Sequence, residues 1–165
     1  MRRLTLVRHA KSDWSLPGQV DWDRPLNKRG QRDAPEMARR LRSRKLKPDR
    51  MISSPAVRAL TTASVMAREL KVAATQLHQD ERLYLASPTD MLAVVRELGG
   101  DAKHLMVFGH NPGITEFANQ LSASEHIDNL PTCGVFTALF DIADWAALGW
   151  ESGQEAEFDY PKNQP

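Results

Sequence analysis

The sequence predicts an α/β fold, a three-layer sandwich whose mixed, mostly parallel sheet carries helices on both faces. Short apolar segments alternate with segments of helical periodicity along the 165 residues, as in layered α/β sheets. The last two predicted strands are only about a dozen residues apart, too close for a helical crossover between parallel strands. We therefore expect antiparallel pairing at one edge of the sheet.

The strands are predicted where short apolar runs end at turn or cap residues. The expected strands are 4–7, 50–53, 76–78, 104–108, 135–142 and, with a weaker pattern, 155–160. We place the predicted parallel pairs in the centre of the sheet, where both faces are covered.

The first helix follows Asn27, where Met37, Ala38 and Leu41 recur at helical spacing. Pro35 leaves two alternatives open. Either the helix begins at Asp33 with Pro35 in its first turn, or a longer helix from Asn27 is kinked at Pro35.

Three further helices open on a proline, the residue favoured at the first helical position. Their predicted openings are Ser54-Pro55, Ser87-Pro88 and Asn111-Pro112. We expect Ser54 to cap its helix.

Length and composition indicate the number of domains, the partners and the compartment. We expect one domain over residues 1–160 and a loose tail over 161–165. A net charge of +1 argues against a nucleic-acid partner. The apolar run before Arg8 is too short for a signal peptide, and no segment approaches the roughly 20 apolar residues of a membrane span. The single Cys133 fits a reducing compartment. We expect a cytoplasmic monomer with no membrane partner.

Candidate catalytic residues stand where predicted strands end. Arg8 and His9 follow the first strand, Arg58 follows the second, and His110 follows the fourth. In open α/β sheets, ligands bind at the carboxyl ends of the strands. Two arginines and two histidines at that edge predict a phosphate pocket that also contains a nucleophile.

The two histidines are assigned different roles. His9 is the better nucleophile, because a neutral imidazole can attack phosphorus and form a covalent phosphohistidine. His110 is the expected hydrogen-bond donor to a phosphoryl oxygen, and a bound anion would favour its protonated form. The helix openings at Ser54-Pro55 and Asn111-Pro112 would add backbone donors.

A carboxyl group is expected to protonate the leaving oxygen and later activate water. Glu81 is the first choice for this role, and Asp13 is the second. A metal site built on His9 and His110 lacks a supporting cluster of ligands. We expect neither a metal nor an organic cofactor.

The motifs together resemble those of a known family, the histidine phosphatase superfamily with its phosphoglycerate-mutase-like fold. Arg8-His9-Ala10 resembles the Arg-His-Gly signature of that superfamily, with Ala in place of Gly. The resemblance covers nearly the whole chain, and a longer match favours the SixA-type branch of phosphohistidine phosphatases. The other matching segments are Ser53-Ser54-Pro55-x-x-Arg58, Gly109-His110-Asn111, and the run from Lys11 to Trp14 with Asp23-Arg24-Pro25-Leu26-Asn27-x-Arg29-Gly30.

The resemblance implies a metal-independent phosphatase in which His9 is phosphorylated and Arg8, Arg58 and His110 hold the phosphate. Glu81 falls where the superfamily's proton donor is expected. Two further phosphate-binding candidates are Asn111, beside the second histidine, and Ser15, near the place of an asparagine in relatives.

The length of the connecting segments bears on the substrate. Little sequence is available for a deep lid between Arg58 and His104, and an open pocket suits a phosphate displayed on a protein side chain. The sequence therefore favours hydrolysis of phosphohistidine. One alternative is an enzyme for a small metabolite, either a phosphomonoesterase or, less favoured, a mutase. The other is a phosphate-binding or phosphoprotein-binding module without turnover.

Overall fold

A computed structural model describes residues 1–163 and contains one six-stranded sheet with the strand order β3-β2-β4-β1-β5-β6. The strands are β1 (Arg2–Arg8), β2 (Arg50–Ser53), β3 (Leu77–Gln79), β4 (His104–Gly109), β5 (Val135–Phe140) and β6 (Gln154–Asp159). All six lie within about two residues of the predicted positions.

The pairing confirms a mixed sheet. Strand β1 runs parallel to β4, and β2 runs parallel to both β4 and β3. Strand β5 is antiparallel to β1 and to β6. The register pairs Arg8 with Gly109 and Ser53 with Phe108. The carboxyl ends of β1, β4 and β2 therefore lie level at one edge of the sheet.

Four helices form the outer layers: α1 (Lys28–Ser43), α2 (Val57–Leu70), α3 (Pro88–Leu98) and α4 (Gly113–Leu121). Helices α1 and α2 share one buried cluster, and α3 and α4 share the other. Strand β4 shows the alternation behind this arrangement. Leu105 and Val107 belong to the cluster with α3 and α4, whereas Met106 and Phe108 belong to the cluster with α1 and α2. The three-layer sandwich is confirmed.

Helix α1 follows the longer of the two alternatives. Asn27 caps it by accepting a hydrogen bond from the backbone N–H of Gly30 over 2.8 Å, and Pro35 lies inside the helix. Asp33 therefore does not begin a helix. The predicted cap of the second helix was wrong, because α2 begins at Val57 after Ala56, which makes no side-chain cap bond.

The chain end is held more firmly than a loose tail, as far as the structure describes it. Arg40 of α1 donates to the carbonyl oxygens of Tyr160 and Pro161 over 3.0 and 2.8 Å. The last two residues of the expected tail, 164–165, lie outside the described residues. The single-domain boundary at residue 160 stays a prediction. Within residues 1–163, no helix has both the length and the apolar character needed to cross a membrane.

Candidate active site

The sheet brings the two candidate histidines together. Each follows the last residue of its strand, His9 after β1 and His110 after β4, and these strands are neighbours. The backbone N–H of His9 donates to the carbonyl oxygen of Gly109 over 3.2 Å. The two imidazole rings lie 5.2 Å apart, measured between centroids. They are near enough to share one small ligand.

A pocket of about 190 Å³ opens beside the two rings. Four of its lining side chains are cations, Arg8, Lys11, Arg24 and Arg58, and none of its lining residues is Asp or Glu. The remaining lining residues are His9, Ser12, Trp14, Leu85, His110, Asn111 and Thr132. This concentration of positive charge in a nearly neutral chain attracts an anion.

One hydrogen bond sets the tautomer of His9. Its Nδ1 lies 2.8 Å from the carbonyl oxygen of Ala10, which can only accept a hydrogen bond. Nδ1 therefore carries the proton, and Nε2 presents a lone pair. Burial, above all, lowers the pKa of His9 to about 4, with the nearby Arg58 and Arg8 acting in the same direction. His9 is thus a neutral imidazole at pH 7, as a nucleophile requires.

His110 is held by a serine from the second strand end. Its Nε2 lies 2.8 Å from Oγ of Ser54, whereas its buried Nδ1 has no hydrogen-bond partner within residues 1–163. The pKa of His110 is lowered to about 3, above all by burial, and the positive charge of Arg58 and of His9 in its protonated form acts in the same direction. Without an anion, His110 is therefore a neutral imidazole at pH 7, and its role as a donor to a bound phosphoryl oxygen stays a prediction.

Two arginines also keep a free donor in the buried site. Nε of Arg8 and Nε of Arg58 are buried and have no partner among the described residues, like Nδ1 of His110. A buried donor without a partner costs about 1–3 kcal/mol. Burial lowers the pKa of Arg8, and the neighbouring charge of Arg58 lowers it too. Three of the four buried nitrogens that lack a partner among the described residues thus belong to side chains that line this one pocket, whose positive charge suits a tetrahedral oxyanion.

Asp21 is a site residue that sequence reasoning missed. Arg58 donates from Nη1 to the backbone oxygen of Asp21 over 2.6 Å and from Nη2 to its carboxylate over 2.9 Å. Tyr84 and Arg24 also donate to this carboxylate. Although partial burial acts against them, these hydrogen bonds hold the pKa of Asp21 well below its usual range. Its one sequence signal is its place in the irregular segment 13–25, which directly follows the Arg-His signature.

Arg24 and Trp14 come from the same irregular segment. Both line the pocket, and the guanidinium carbon of Arg24 lies 3.4 Å from the centroid of the Trp14 ring. Arg24 also donates to the hydroxyl of Ser12. Neither residue was a candidate in the sequence, although both belong to the segments that match the SixA-type branch.

Three predicted candidates are not among the residues that line the pocket. Glu81 is exposed in a short 3-10 helix, Glu81–Leu83. Asp13 accepts a hydrogen bond from the backbone N–H of Ser15, and hydrogen bonding to the side chain and then to the backbone of Ser15 lowers the pKa of its carboxyl. Ser15 itself is exposed. The neighbouring Asp80 caps the helix that holds Glu81 by accepting from the N–H of Arg82.

Asn111 does line the pocket, but its amide is already engaged. Its nitrogen donates to Oδ1 of Asn129 over 2.7 Å and to the carbonyl oxygen of Leu130 over 3.2 Å. Its oxygen accepts from the hydroxyl of Thr115 over 2.7 Å. Arg8 donates to the same Leu130 oxygen over 3.0 Å. In this arrangement the Asn111 side chain holds a loop beside Arg8.

Not every groove on the surface suits an anion. A larger groove of about 460 Å³ is bordered by Glu125, Asp128 and Glu157, whose negative charges repel phosphate. Across residues 1–163, no three His, Cys, Asp or Glu side chains are grouped closely enough to hold a metal ion.

The comparisons with known proteins agree with this site. The model of the histidine phosphatase superfamily, branch 1, matches residues 4–84. An uncharacterised chloroplastic protein of Arabidopsis thaliana is 31% identical over 140 residues, which are 80% of this chain and 63% of that protein. The chain thus spans less than two thirds of that relative. An uncharacterised protein of Mycobacterium tuberculosis is 31% identical over 122 residues, 74% of this chain and 73% of its own length.

A solved structure extends the likeness to the whole fold. It comes from Agrobacterium tumefaciens and is provisionally named phosphohistidine phosphatase SixA. It is 26% identical, with a TM-score of 0.76 over 84% of this chain and 92% of that chain. The predicted resemblance to the SixA-type branch is confirmed. With its motifs at these strand ends, the chain belongs to the histidine phosphatase superfamily, branch 1, and has the phosphoglycerate-mutase-like fold.

Proposed function

We propose that the protein hydrolyses phosphohistidine on other proteins and that His9 carries the phosphoryl group between two steps. The observation that supports this most is the tautomer of His9, whose Nδ1–H is bonded to Ala10 while Nε2 is free. A covalent intermediate divides one difficult displacement into two easier ones.

In the first step, Nε2 of His9 attacks the phosphorus atom and the P–N bond of the substrate breaks. The electron pair of that bond stays on the leaving imidazole. When the other ring nitrogen of the substrate is protonated, this imidazole departs as a neutral molecule. Arg8, Arg58 and His110 hold the phosphoryl oxygens, on which most of the charge resides. An anion at this position also favours the protonated form of His110.

In the second step, water attacks the phosphorus atom and the bond to Nε2 of His9 breaks. The electron pair returns to Nε2, and the protons of the water pass to phosphate and solvent. Nδ1–H keeps its bond to Ala10 throughout, so His9 returns to its starting tautomer.

The lining of the pocket favours phosphohistidine over an alkyl phosphate. An alkoxide leaving group needs a proton from a nearby acid, and none of the lining residues is Asp or Glu. Imidazole, with a pKa near 6.5, needs far less help. The volume of about 190 Å³ is also below the roughly 300–1,000 Å³ typical of small-molecule sites. The Agrobacterium protein of similar structure also carries the name of a phosphohistidine phosphatase.

A labelling experiment tests the proposal. The protein is mixed with a histidine-phosphorylated carrier protein bearing ³²P, quenched within milliseconds, and analysed for acid-labile phosphate. We expect label on the wild-type chain and on a His78→Ala control, since His78 is exposed, and none on His9→Ala. Turnover by His9→Ala at the wild-type rate would refute the covalent step. Rapid hydrolysis of sugar phosphates without hydrolysis of phosphohistidine would favour a small-metabolite phosphomonoesterase, and phosphate binding without any turnover would favour a binding module.

The compartment and assembly belong to the same proposal. We place the enzyme in the cytoplasm as a monomer that meets its phosphorylated partner transiently, with no nucleic-acid or membrane partner. The single Cys133, which is buried, and the net charge of +1 support this assignment. A mass measurement in solution tests the monomer, and fractionation of cells that express the protein tests the compartment.

A further inference from the structure

We propose that Trp14 and Leu85 form a docking rim for apolar side chains that flank the phosphohistidine of a protein substrate. This inference rests on the proposed function and names the kind of surface that the enzyme recognises. Both residues line the phosphate pocket. Trp14 is 72% exposed and Leu85 is 58% exposed.

The rim lies within a wider group of exposed apolar side chains. Leu16 and Val20, in the same irregular segment as Trp14, are also large and exposed. Single exposed apolar residues are common. Two large exposed apolar side chains at the mouth of one pocket, Trp14 and Leu85, are instead typical of an interaction site.

Trp14 is held in its exposed position. The guanidinium of Arg24 stacks on its ring, and Arg24 is itself buried and bonded to Ser12 and Asp21. A ring fixed before binding loses little conformational freedom when a partner covers it. Fixed aromatic side chains of this kind dominate the energetics of many interfaces.

Two features of Leu85 are unfavourable for the stability of a domain that has no partner bound. Its φ of +50° lies in the left-handed region, which costs a residue with a β-carbon about 1–2 kcal/mol. Its side chain is also exposed to water. Asn or Gly would relieve the strain at this position. Strained residues of this kind cluster at functional sites, and here the strained residue borders the pocket.

The rim fits a protein better than a small phosphorylated metabolite. A pocket of about 190 Å³ leaves little room beyond a phosphoryl group and its imidazole, so the rest of the substrate must lie across the mouth. A sugar would place hydroxyl groups against Trp14 and Leu85, where they would lose water without gaining hydrogen bonds. The apolar neighbours of a phosphohistidine would bury these two side chains instead.

Two short synthetic peptides and one small probe test the rim. Both peptides carry a central phosphohistidine, flanked by Leu in one and by Ser in the other. The small probe is the free amino acid phosphohistidine. Wild type is compared with Trp14→Ala and Leu85→Asn, and the latter keeps a residue that tolerates a positive φ. Trp150→Ala is the matched control, because Trp150 is also exposed but packs against Phe117 away from the pocket.

We expect wild type and Trp150→Ala to prefer the Leu peptide about tenfold in kcat/KM. Each rim variant should lose most of this preference, and its loss of kcat/KM on the Leu peptide should exceed its loss on free phosphohistidine several-fold. Equal rates of wild type on both peptides would overturn the docking rim but leave the proposed function intact. A loss of the same size on free phosphohistidine would also overturn the rim, because the residues would then act on the phosphoryl group. No hydrolysis of any phosphohistidine would overturn both proposals.

Discussion

Arg58 donates to Asp21 from both of its terminal nitrogens, once to the backbone oxygen and once to the carboxylate. This pair joins helix α2 to the irregular segment that follows the Arg-His signature. It leaves Nε as the nitrogen of Arg58 without a partner among the described residues. The proposed phosphate ligand is therefore oriented by a carboxylate that also opposes the negative charge of the substrate.

Replacement of Asp21 by Asn should destabilise the empty enzyme and strengthen anion binding. The ion pair joins a buried Arg58 to an Asp21 side chain that is 40% exposed. Its loss should lower the free energy of unfolding by about 1 kcal/mol. Removal of the negative charge should lower the inhibition constant for inorganic phosphate several-fold. Thermal unfolding with and without phosphate, together with inhibition by phosphate, measures both effects.

The sign of the pH dependence follows from the depressed pKa of Asp21. The stability that this pair contributes is present above the ordinary carboxyl pKa of 3.8 and is lost as the pH falls below it. Asp21→Asn should therefore destabilise the protein by its full amount at pH 7 and by a smaller amount at pH 3, where the loss has begun but the folded-state carboxylate is still largely ionised. Asp141→Asn, at an exposed position, serves as the control. An unchanged phosphate constant in Asp21→Asn would contradict the assigned orientation.

Replacement of Ser54 by Ala should impair His110 without emptying the pocket. Ser54 is fully buried, and its Oγ accepts from the backbone N–H of Ala56 over 3.3 Å. Its own proton is then available for Nε2 of His110, 2.8 Å away, which leaves the His110 proton on the unpartnered Nδ1. We expect kcat/KM to fall about tenfold, the loss typical of a hydrogen bond worth about 1.4 kcal/mol.

The shift of the His110 tautomer is the readout that separates this role from simple destabilisation. Nitrogen NMR of the imidazole should show Nδ1–H in wild type and a mixture of tautomers in Ser54→Ala. Ser53→Ala is the neighbouring control, because Ser53 donates to the backbone oxygen of Ser54 and not to His110. A wild-type tautomer together with lost activity in Ser54→Ala would contradict the positioning role.

The extent to which the site could be predicted from sequence has a physical basis. His9 and His110 could be placed together because neighbouring parallel strands end at one edge of a sheet, so a residue that follows each strand is located by topology alone. Asp21 and Arg24 could not, because Asp21 reaches Arg58, and Arg24 reaches the pocket, from an irregular segment whose path depends on long-range contacts. Ser54 was misassigned as a helix cap because the next helix begins three residues later.

The position of the predicted proton donor was equally difficult to derive from the sequence. Glu81 follows a short strand at the correct edge, but a single 3-10 turn decides where its side chain lies. The three-layer sandwich was easier to predict, because apolar alternation extends over whole strands such as β4.

Replacement of Glu81 by Gln should leave phosphohistidine hydrolysis within about twofold of wild type. Glu81 is exposed and does not line the pocket, and an imidazole leaving group needs little help from an acid. Asp13→Asn should behave in the same way. The check is kcat/KM for free phosphohistidine beside that for an alkyl phosphate. A loss of a hundredfold or more on both substrates in Glu81→Gln would show that Glu81 reaches the reacting group during turnover.

The buried histidines should make the free energy of unfolding fall between pH 7 and pH 4. Burial lowers the pKa of His9 to about 4, of His104 to about 4 and of His110 to about 3. Because these values lie below the unfolded pKa of about 6.5, the unfolded chain binds more protons in this range. Stability is fully present above pH 6.5 and falls as the pH drops towards 4. For His9 alone, the loss is on the order of 3 kcal/mol.

Urea unfolding at several pH values measures this slope. His9→Gln combined with His110→Gln should flatten it substantially, with His104 retaining part of it, whereas His78→Gln at an exposed position should leave it unchanged. Sulfate, which keeps two charges over this range, should stabilise the wild type more at pH 5 than at pH 8, because an anion in the pocket favours protonated His110. An equal effect of sulfate at both pH values would mean that anion binding does not favour the protonated form of His110.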